Sequence, residues 1–491
     1  MGCVKNLIVV GLFLMAWDVV AQTESNTANS VTSKRPNIVF AIADDWGWPH
    51  AGAYGDTAVA TPTFDAIAQQ GVLLNHAFVS SPSCTPSRGA ILSGQHFWRL
   101  GQAANLWSEW PKDQFPEYPR ILEKAGYHVG HFRKPWGPGR CQQQPAGMRF
   151  DSVDEFFAAR SPDEPFCFWF GANDPHRGYK QGSGRESGID LQQVHLFPFF
   201  PDTEKVRSDI ADYYFEVQRF DRQVGQLLKR LEDMGELGNT IVVMTGDHGM
   251  PFPRCKGHLY DSGARVPLAI QGPQIVAGRI VQDFVSLADL APTFLQSANV
   301  DIPPSMTGKS LLPILQSDKE GWIDPQRQQI VFGRERHTVS QVKGCRGGYP
   351  MRAIRTKDYL YIKNYFPDRW PAGTPDYANA EFRKAWLSDC DNGPTKDEIW
   401  DLRETENGQR PYELCFAQRP AEELYLIAND PDQLVNVANE TAYQVVKQQL
   451  WEQLSTILKD GEDPRAADPL CDMDQAGKYL GGGGGQWDRK D

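Results

Sequence analysis

The sequence lacks an excess of positive charge: 50 lysines and arginines are outnumbered by 62 aspartates and glutamates, which gives a net charge of −12. Because such a surface repels polyanions, we expect no nucleic-acid partner, and an anionic substrate needs a local basic pocket. The sequence also lacks a long apolar run beyond its first residues and contains no internal repeat. We therefore expect a globular chain with no membrane span after those first residues.

Residues 1–21 have the features of a signal peptide: an early Lys5, an apolar run and a small Ala21 at the end. The run is shorter than the ~20 apolar residues that a membrane span needs. We therefore expect an exported protein, periplasmic or secreted in a bacterium, or lysosomal in an animal. Polar residues 22–35 predict a disordered linker, and the glycine-rich residues 477–491 predict a flexible tail.

Cysteine is scarce, with nine residues in the chain, and Cys3 lies within the predicted signal peptide. If Cys84 is reserved for chemistry, an odd number of cysteines remains. Export permits one or two disulfides, but their pairing cannot be deduced from the sequence.

Buried apolar runs alternate with helical patterns through most of the chain. The segments PNIVFAIADDWG (36–47) and TIVVMTGDHG (240–249) are apolar without alternation, as in parallel strands that are buried on both faces. Between them, apolar residues of 208–235 recur at the spacing of a helix that packs on a sheet. This alternation predicts an α/β fold with a largely parallel sheet.

The pattern changes from about Ser310, where the apolar runs become shorter and resemble antiparallel strands. A helical pattern, AYQVVKQQLWEQLSTILKDG, follows them. We therefore predict a main domain over residues 36–340 and a smaller C-terminal α+β subdomain over residues 341–476.

Polar residues follow two of the predicted strands at the point where each strand ends. Asp44 and Asp45 end the first strand, and Asp247 and His248 end a later one. Ligands of open α/β sheets bind beyond the carboxyl ends of the strands, so we expect these side chains to converge. An isolated Asp pair can also cap a turn, but a second carboxylate site favours a hard cation, Ca²⁺ or Mg²⁺. The imidazole of His248 is softer than either ion prefers.

Cys84 lies in a polar turn, SPSCTPSRGA, where a cysteine that serves packing is not expected. The following residues open a helix, and the N-terminus of a helix attracts anions. A disulfide, a buried thiol and a thiolate nucleophile are all possible roles for Cys84. Because a hard cation prefers oxygen ligands to a thiol, chemical modification of the cysteine is a fourth.

The pentapeptide Cys-Thr-Pro-Ser-Arg at 84–88 resembles the C-x-P-S-R signature of type I sulfatases, in which the cysteine is oxidised to formylglycine. Further segments are similar to that family: RPNIVFAIADDWGW, DPHRGY, GDHGMPFPRCKGHLYDSGARVPL, AIRTKDYLYI and EELYLIANDPDQLVNVA. The similarity extends from about residue 36 to about residue 440. It implies an alkaline-phosphatase-like α/β/α sandwich, a sulfuric ester hydrolase activity, and a formylglycine-generating enzyme as partner.

The resemblance also implies a role for each matching residue. A divalent ion, Ca²⁺ or Mg²⁺, is expected on the residues Asp44, Asp45, Cys84 in its modified form, Asp247 and His248. Arg88 is expected to orient the aldehyde hydrate, Lys134 and Lys256 to hold sulfate oxygens, and His176 to protonate the leaving oxygen. Hydrated formylglycine has two hydroxyl groups on one carbon, so one attacks sulfur and the other later expels sulfate.

One segment departs from the family pattern. Many members have G-K-W-H-L-G around the first lysine, whereas this sequence has RKPWGPG, so Trp136 replaces the usual histidine. The base that expels sulfate is therefore missing from its usual place. His131, His258 or water are the alternatives.

The segments NDPHRGY, KPWGPG and GMPFPRCKGHLYD are most similar to the sulfamidase-like branch, which includes heparan N-sulfatase and bacterial polysaccharide sulfatases. This branch favours a sulfated sugar as substrate, with O-sulfate and N-sulfate both open. The candidate sugar-binding residues are Arg177, His258, Arg334, Arg336, His337 and Arg352. Three alternatives remain: a sulfamidase, a phosphonate or phosphodiester hydrolase on the same fold, and a catalytically inactive glycan-binding protein.

Overall fold

The computed structural model describes residues 34–382 and 385–481. The predicted signal peptide, most of the predicted linker and most of the predicted tail lie outside these residues. Among the described residues, no helix is both long and apolar enough to cross a bilayer. The eight described cysteines are all free thiols, so no disulfide forms among them.

Within the described residues, the strands form one large sheet, one four-stranded sheet and one two-stranded ribbon. In chain order they are β1 Asn37–Ala43, β2 Val72–Phe78, β3 Ser108–Trp110, β4 His128–Arg133, β5 Gly139–Cys141, β6 Met148–Phe150, β7 Phe166–Gly171, β8 Thr240–Gly246, β9 Leu268–Gln271, β10 Arg279–Ser286, β11 Gln329–Arg334, β12 Met351–Thr356, β13 Tyr359–Asn364 and β14 Glu422–Leu426.

The helices connect these strands and cover the sheets. They are α1 Pro62–Gln70, α2 Cys84–Ser93, α3 Tyr118–Lys124, α4 Val153–Ala159, α5 Ser183–Glu186, α6 Glu204–Asp233, α7 Asp261–Ala264, α8 Leu290–Ser297, α9 Leu312–Leu315, α10 Pro394–Leu402, α11 Glu406–Phe416, α12 Gln444–Asp460 and α13 Pro464–Ala467.

The large sheet has eight strands in the order β10-β2-β9-β8-β1-β7-β4-β6. Its neighbours pair in parallel except at β9, which is antiparallel to β2 and β8. Every residue of β1 and β8 is buried, as the unbroken apolar runs predicted. The prediction of a mostly parallel α/β sheet is confirmed.

Alternate residues of β1 enter separate hydrophobic cores on the two faces of the sheet. Ile38 and Phe40 pack in one core with residues of α2, α3 and α8. Val39 and Ala41 pack in the other core with α1, α4 and α6. Because strand side chains alternate in direction, a strand apolar throughout forms the middle layer of a sandwich with helices on both sides.

The four-stranded sheet has the order β11-β12-β13-β14 and is antiparallel throughout, as predicted. Helix α12 covers it, and Leu450 and Leu454 pack with Ile354 and Tyr361. The sequence did not predict α10 and α11, which lie between β13 and β14. They pack in the α6 core of the large sheet instead of on the smaller sheet. The boundary near residue 340 remains a prediction.

Candidate active site

Strand pairing places the predicted metal ligands at one edge of the large sheet. β1 and β8 pair in parallel, and Ala43 lies opposite Gly246, so the residues that follow both strands emerge side by side. Cys84 is the first residue of α2. The ligand atoms of Asp44, Cys84, Asp247 and His248 lie within 4.8 Å of one another. We call these four residues, with Asp45 beside them, the ligand cluster.

The ring of His248 shows that the ligand cluster fits a cation. Its Nδ1 lies 3.0 Å from the Gly249 carbonyl oxygen, which can only accept, so Nδ1 donates and Nε2 is the ring nitrogen that faces the ligand cluster. That Nε2 lies 3.1 Å from Oδ1 of Asp45 and 3.2 Å from Sγ of Cys84. Oδ1 of Asp45 is buried without a hydrogen bond. Electron-rich atoms that face one another in this way suit a bound positive ion.

Arg88 and Lys134 supply positive charge beside the carboxylates. Nε of Arg88 donates to Oδ2 of Asp247 at 2.7 Å, and Nζ of Lys134 lies 2.6 Å from both carboxylate oxygens of Asp44. Burial opposes ionisation of Asp44, but the charges of Lys134, His176 and Arg88 outweigh it and hold the pKa of that carboxyl well below its usual value. Asp44 is therefore ionised and available as a ligand.

Burial also controls the thiol of Cys84, which is 2 % exposed. It raises the pKa of Cys84 well above the usual value, and the nearby positive charge of Lys134 does not offset the effect. The unmodified thiol is therefore a poor thiolate nucleophile in this structure.

A cavity of about 680 Å³ opens above the ligand cluster. Its lining includes Asp44, Cys84, Trp107, Lys134, Trp136, Asp174, His176, Arg177, Arg219, Lys256, His337 and Asp391. Charged groups and two tryptophans therefore face the same space. Such a mixture suits a ligand with both an anionic group and an apolar ring face.

Lys256 and His176 lie together at the cavity. Nζ of Lys256 donates to Oδ2 of Asp45 at 2.8 Å and to Oδ2 of Asp391 at 3.1 Å. Burial disfavours the charged amine, but Asp391 and Asp45 raise the pKa of Lys256 well above its usual value. His176 donates from Nδ1 to the carbonyl oxygen of Arg177 at 2.6 Å, which leaves its Nε2 within 4.0 Å of Asp391.

Two of the predicted sugar-binding residues, Arg177 and His337, line the cavity. The Arg177 guanidinium pairs with both carboxylate oxygens of Asp209 at 2.8 Å. Nδ1 of His337 lies 2.8 Å from the hydroxyl of Ser83. Both side chains are therefore held in place by neighbouring residues.

The other four predicted sugar-binding residues do not line the cavity, and none is more than 2 % exposed: His258, Arg334, Arg336 and Arg352. Arg352 is paired with Glu335 and Asp463 inside the protein. Arg334 lies 3.1 Å from Asp389. The structure thus corrects the prediction for these four residues, because they are buried away from the space where a substrate fits.

The structure also shows where the candidate bases for expelling sulfate lie. His131 is buried in β4, where its Nδ1 lies 3.1 Å from the Gly147 carbonyl oxygen, and it does not line the cavity. His258 is also buried and does not line the cavity. Trp136 does line the cavity, and so do His176 and His337. Neither histidine suggested by the sequence as a substitute therefore reaches the site.

Sequence reasoning missed three charged residues of the cavity. Asp391 contacts Lys256, and Arg219 pairs with Asp174 across a helix and a loop. Asp391 and Arg219 belong to none of the motifs, whereas Asp174 opens the DPHRGY segment but received no role there. A single charged residue in a polar segment carries no distinguishing signal. Only their positions in the folded chain reveal them.

Comparison with solved structures supports the fold. A protein solved with its substrate D-glucosamine-2-N,6-O-disulfate has a TM-score of 0.66 and 19 % identity, covering 89 % of this chain and 100 % of its own. A phosphonate monoester hydrolase of Agrobacterium radiobacter has a TM-score of 0.56 and 18 % identity, covering 87 % and 96 %. The predicted alkaline-phosphatase-like architecture is confirmed.

Sequence comparison finds relatives along most of the chain. The human N-sulphoglucosamine sulphohydrolase is 29 % identical over 490 residues, which cover 88 % of this chain and 92 % of the relative. An ulvan-active sulfatase of Formosa agariphila is 26 % identical, covering 84 % of this chain and 72 % of the relative.

Two family models match the chain. The model of the N-sulphoglucosamine sulphohydrolase C-terminal region matches residues 246–371. The sulfatase model matches residues 36–300, more than half of the chain. This protein therefore belongs to the sulfatase family and is a sulfuric ester hydrolase.

Proposed function

We propose that this enzyme removes sulfate groups from a sulfated carbohydrate, with formylglycine made from Cys84 and a divalent cation, Ca²⁺ or Mg²⁺. The observation that supports the proposal most is the position of Cys84. It begins α2 within 4.8 Å of Asp44, Asp247 and His248, and it lines a cavity that also contains two lysines.

The ligand cluster would hold the cation through Asp44, Asp45, Asp247, His248 and the modified Cys84. When bound, the cation and the hydrated aldehyde together supply an activated oxygen nucleophile at neutral pH. Arg88 stays fixed by its ion pair with Asp247, so its guanidinium orients the modified side chain.

The residues around the ligand cluster bind the sulfate and handle the proton. Lys134 and Lys256 are each tied to a ligand carboxylate, Asp44 and Asp45 respectively, and both lysines line the cavity. Their charges offset the negative charge that develops on the sulfate oxygens in the transition state. The fixed Nδ1 of His176 leaves Nε2 to protonate the leaving atom.

The cavity supports a sugar as the group that carries the sulfate. Its volume of about 680 Å³ is within the usual range for small-ligand sites. The indole rings of Trp107 and Trp136 suit the apolar faces of a sugar ring. The named relatives include an N-sulphoglucosamine sulphohydrolase and an ulvan-active sulfatase. One structural neighbour was solved with D-glucosamine-2-N,6-O-disulfate, so both N-sulfated and O-sulfated sugars are candidates.

The alternatives have less support. The phosphonate hydrolase shares only the fold, so the architecture does not distinguish the two activities. An inactive glycan-binding protein would not need a complete ligand cluster with Lys134 and Lys256 beside it. We also propose export of the protein, in line with the predicted signal peptide.

The test uses the full chain produced together with a formylglycine-generating enzyme. Mass spectrometry of the peptide that contains Cys84 should show formylglycine, and a panel of O- and N-sulfated saccharides should release sulfate. Phosphodiesters serve as the competing substrates. Unmodified Cys84, or faster turnover of the phosphodiesters, contradicts the proposal.

A further inference from the structure

Asp391 is an acidic residue in a site for an anionic substrate. It lies outside the residues that either family model matches and outside every motif of the sequence. Its Oδ2 is 3.1 Å from Nζ of Lys256 and 4.0 Å from Nε2 of His176. A carboxylate repels sulfate unless a cation neutralises it. The presence of Asp391 at this site, in contact with Lys256, therefore needs a physical explanation.

A buried lysine holds the loop that carries Asp391, which we call the 386–392 loop. Lys396 is 0 % exposed, and its Nζ donates to oxygens of this loop. The acceptors are the carbonyl oxygens of Trp386 at 2.9 Å, Leu387 at 3.0 Å and Cys390 at 3.4 Å, and Oδ1 of Asn392 at 3.0 Å. A buried ammonium is costly unless its protons are bonded, so these bonds fix the loop and the lysine together.

Asp389 anchors the same loop from the other side. Its Oδ1 accepts from the backbone nitrogen of Thr338 at 2.8 Å and from the Thr338 hydroxyl at 2.6 Å. Its Oδ2 lies 3.1 Å from the guanidinium of Arg334. Arg334 therefore stabilises the loop instead of binding the sugar, which explains why this predicted sugar-binding residue points inward.

The anchored loop holds Asp391 at a defined place. The Asp391 side chain is 27 % exposed and lines the cavity, whereas Lys256 is nearly buried between Asp391 and Asp45. Without Asp391, the Lys256 amine would lose one of its two carboxylate partners and would be drawn toward Asp45. His176 would lose a carboxylate near the nitrogen that faces the leaving atom.

We propose that Asp391 is a positioning residue for sulfate hydrolysis, which holds Lys256 and His176 in place from the 386–392 loop. This inference rests on the function proposed above. It predicts that Asp391 matters most when the leaving group needs a proton. A sugar alkoxide is a poor leaving group and requires that proton, whereas 4-nitrophenolate departs without it.

The test compares Asp391→Asn with the unchanged enzyme on a sulfated sugar and on 4-nitrophenyl sulfate. Because general acid catalysis contributes at least about 100-fold, we expect kcat for the sugar to fall about 30-fold and kcat for 4-nitrophenyl sulfate about 3-fold. KM for both substrates should change less than kcat. Asp391→Glu, which keeps the charge, should recover part of the lost sugar activity.

The control is Asp202→Asn, which makes the same chemical change at an exposed ion pair with Arg207. It should leave both activities as they are. Equal losses of Asp391→Asn on the two substrates, or no loss on the sugar, would overturn the inference about Asp391. Failure of the unchanged enzyme to release sulfate would instead overturn the proposed function.

Discussion

The ligand cluster and the 386–392 loop meet at one cavity but are built in different ways. In the ligand cluster, the pairing of β1 with β8 brings Asp44, Asp45, Asp247 and His248 together, and the start of α2 adds Cys84. The 386–392 loop is held by side chains, above all Lys396 and Arg334. It comes from a part of the chain that is distant in sequence from the ligand cluster. The difference indicates that the reaction centre follows from the backbone topology of the sheet, whereas its surroundings depend on side-chain contacts.

The largest effect should come from the centre of the ligand cluster. Cys84→Ala removes the only precursor of the proposed nucleophile, so we expect sulfate release to fall by at least about 1000-fold on every substrate. The measurement is sulfate release from a sulfated sugar and from 4-nitrophenyl sulfate. Cys167→Ala, a buried cysteine in β7 outside the cavity, is the control and should stay active. Substantial activity of Cys84→Ala would contradict the placement of the reaction centre in the ligand cluster.

Cation binding should depend on the ligand cluster and not on the loop. Ca²⁺ at about 100 times its dissociation constant should stabilise the folded protein by about 2.7 kcal/mol. Asp45→Asn removes a ligand charge, so its thermal unfolding should no longer respond to Ca²⁺. Asp391→Asn should keep the response, because the ion pair between Lys256 and Asp45 remains. The same measurements with Mg²⁺ identify the preferred ion. Stabilisation of Asp45→Asn by Ca²⁺ would argue against a cation site at the ligand cluster.

Trp107 in the cavity wall should affect substrate binding more than chemistry. Trp107 is half-buried and lines the cavity. Trp107→Ala removes a stacking surface worth about 1 kcal/mol, so we expect KM for the sugar to rise about 5-fold with kcat nearly unchanged. Steady-state kinetics provide the measurement. A fall in kcat alone would show that Trp107 acts on the reaction centre instead.

The smallest effect on activity should come from His131, which lies in the large sheet but outside the cavity. Burial lowers the pKa of His131 to about 4. Between about pH 4 and pH 6.5, the unfolded chain therefore binds a proton at this histidine that the folded chain does not bind. The free energy of unfolding is highest above about pH 6.5 with respect to this group, and it decreases as the pH falls toward 4.

The variant His131→Gln should keep sulfatase activity within about 2-fold, since His131 does not line the cavity. Its unfolding free energy should depend less on pH between 4 and 6.5 than that of the unchanged protein. Denaturant unfolding at several pH values measures this. A large loss of activity would restore His131 as the base that expels sulfate.

The sequence predicted much of the fold because the signals were local. The apolar runs of β1 and β8 and the spacing in α6 each correspond to one observed element. Helices α10 and α11 were missed because they lie among irregular polar segments and join the core of α6, which comes from a distant part of the chain. Nothing in their own pattern indicates which sheet they join.

The sequence by itself determined strands β1 and β8, the start of α2 and the residues of the ligand cluster, because each of these follows from a short segment. Tertiary structure alone decided which charged side chains face the cavity. Arg352 points inward because Glu335 and Asp463 surround it, and Asp391 points outward because Lys396 holds its loop. A long charged side chain turns toward whichever partner lies within reach, and folding sets that partner.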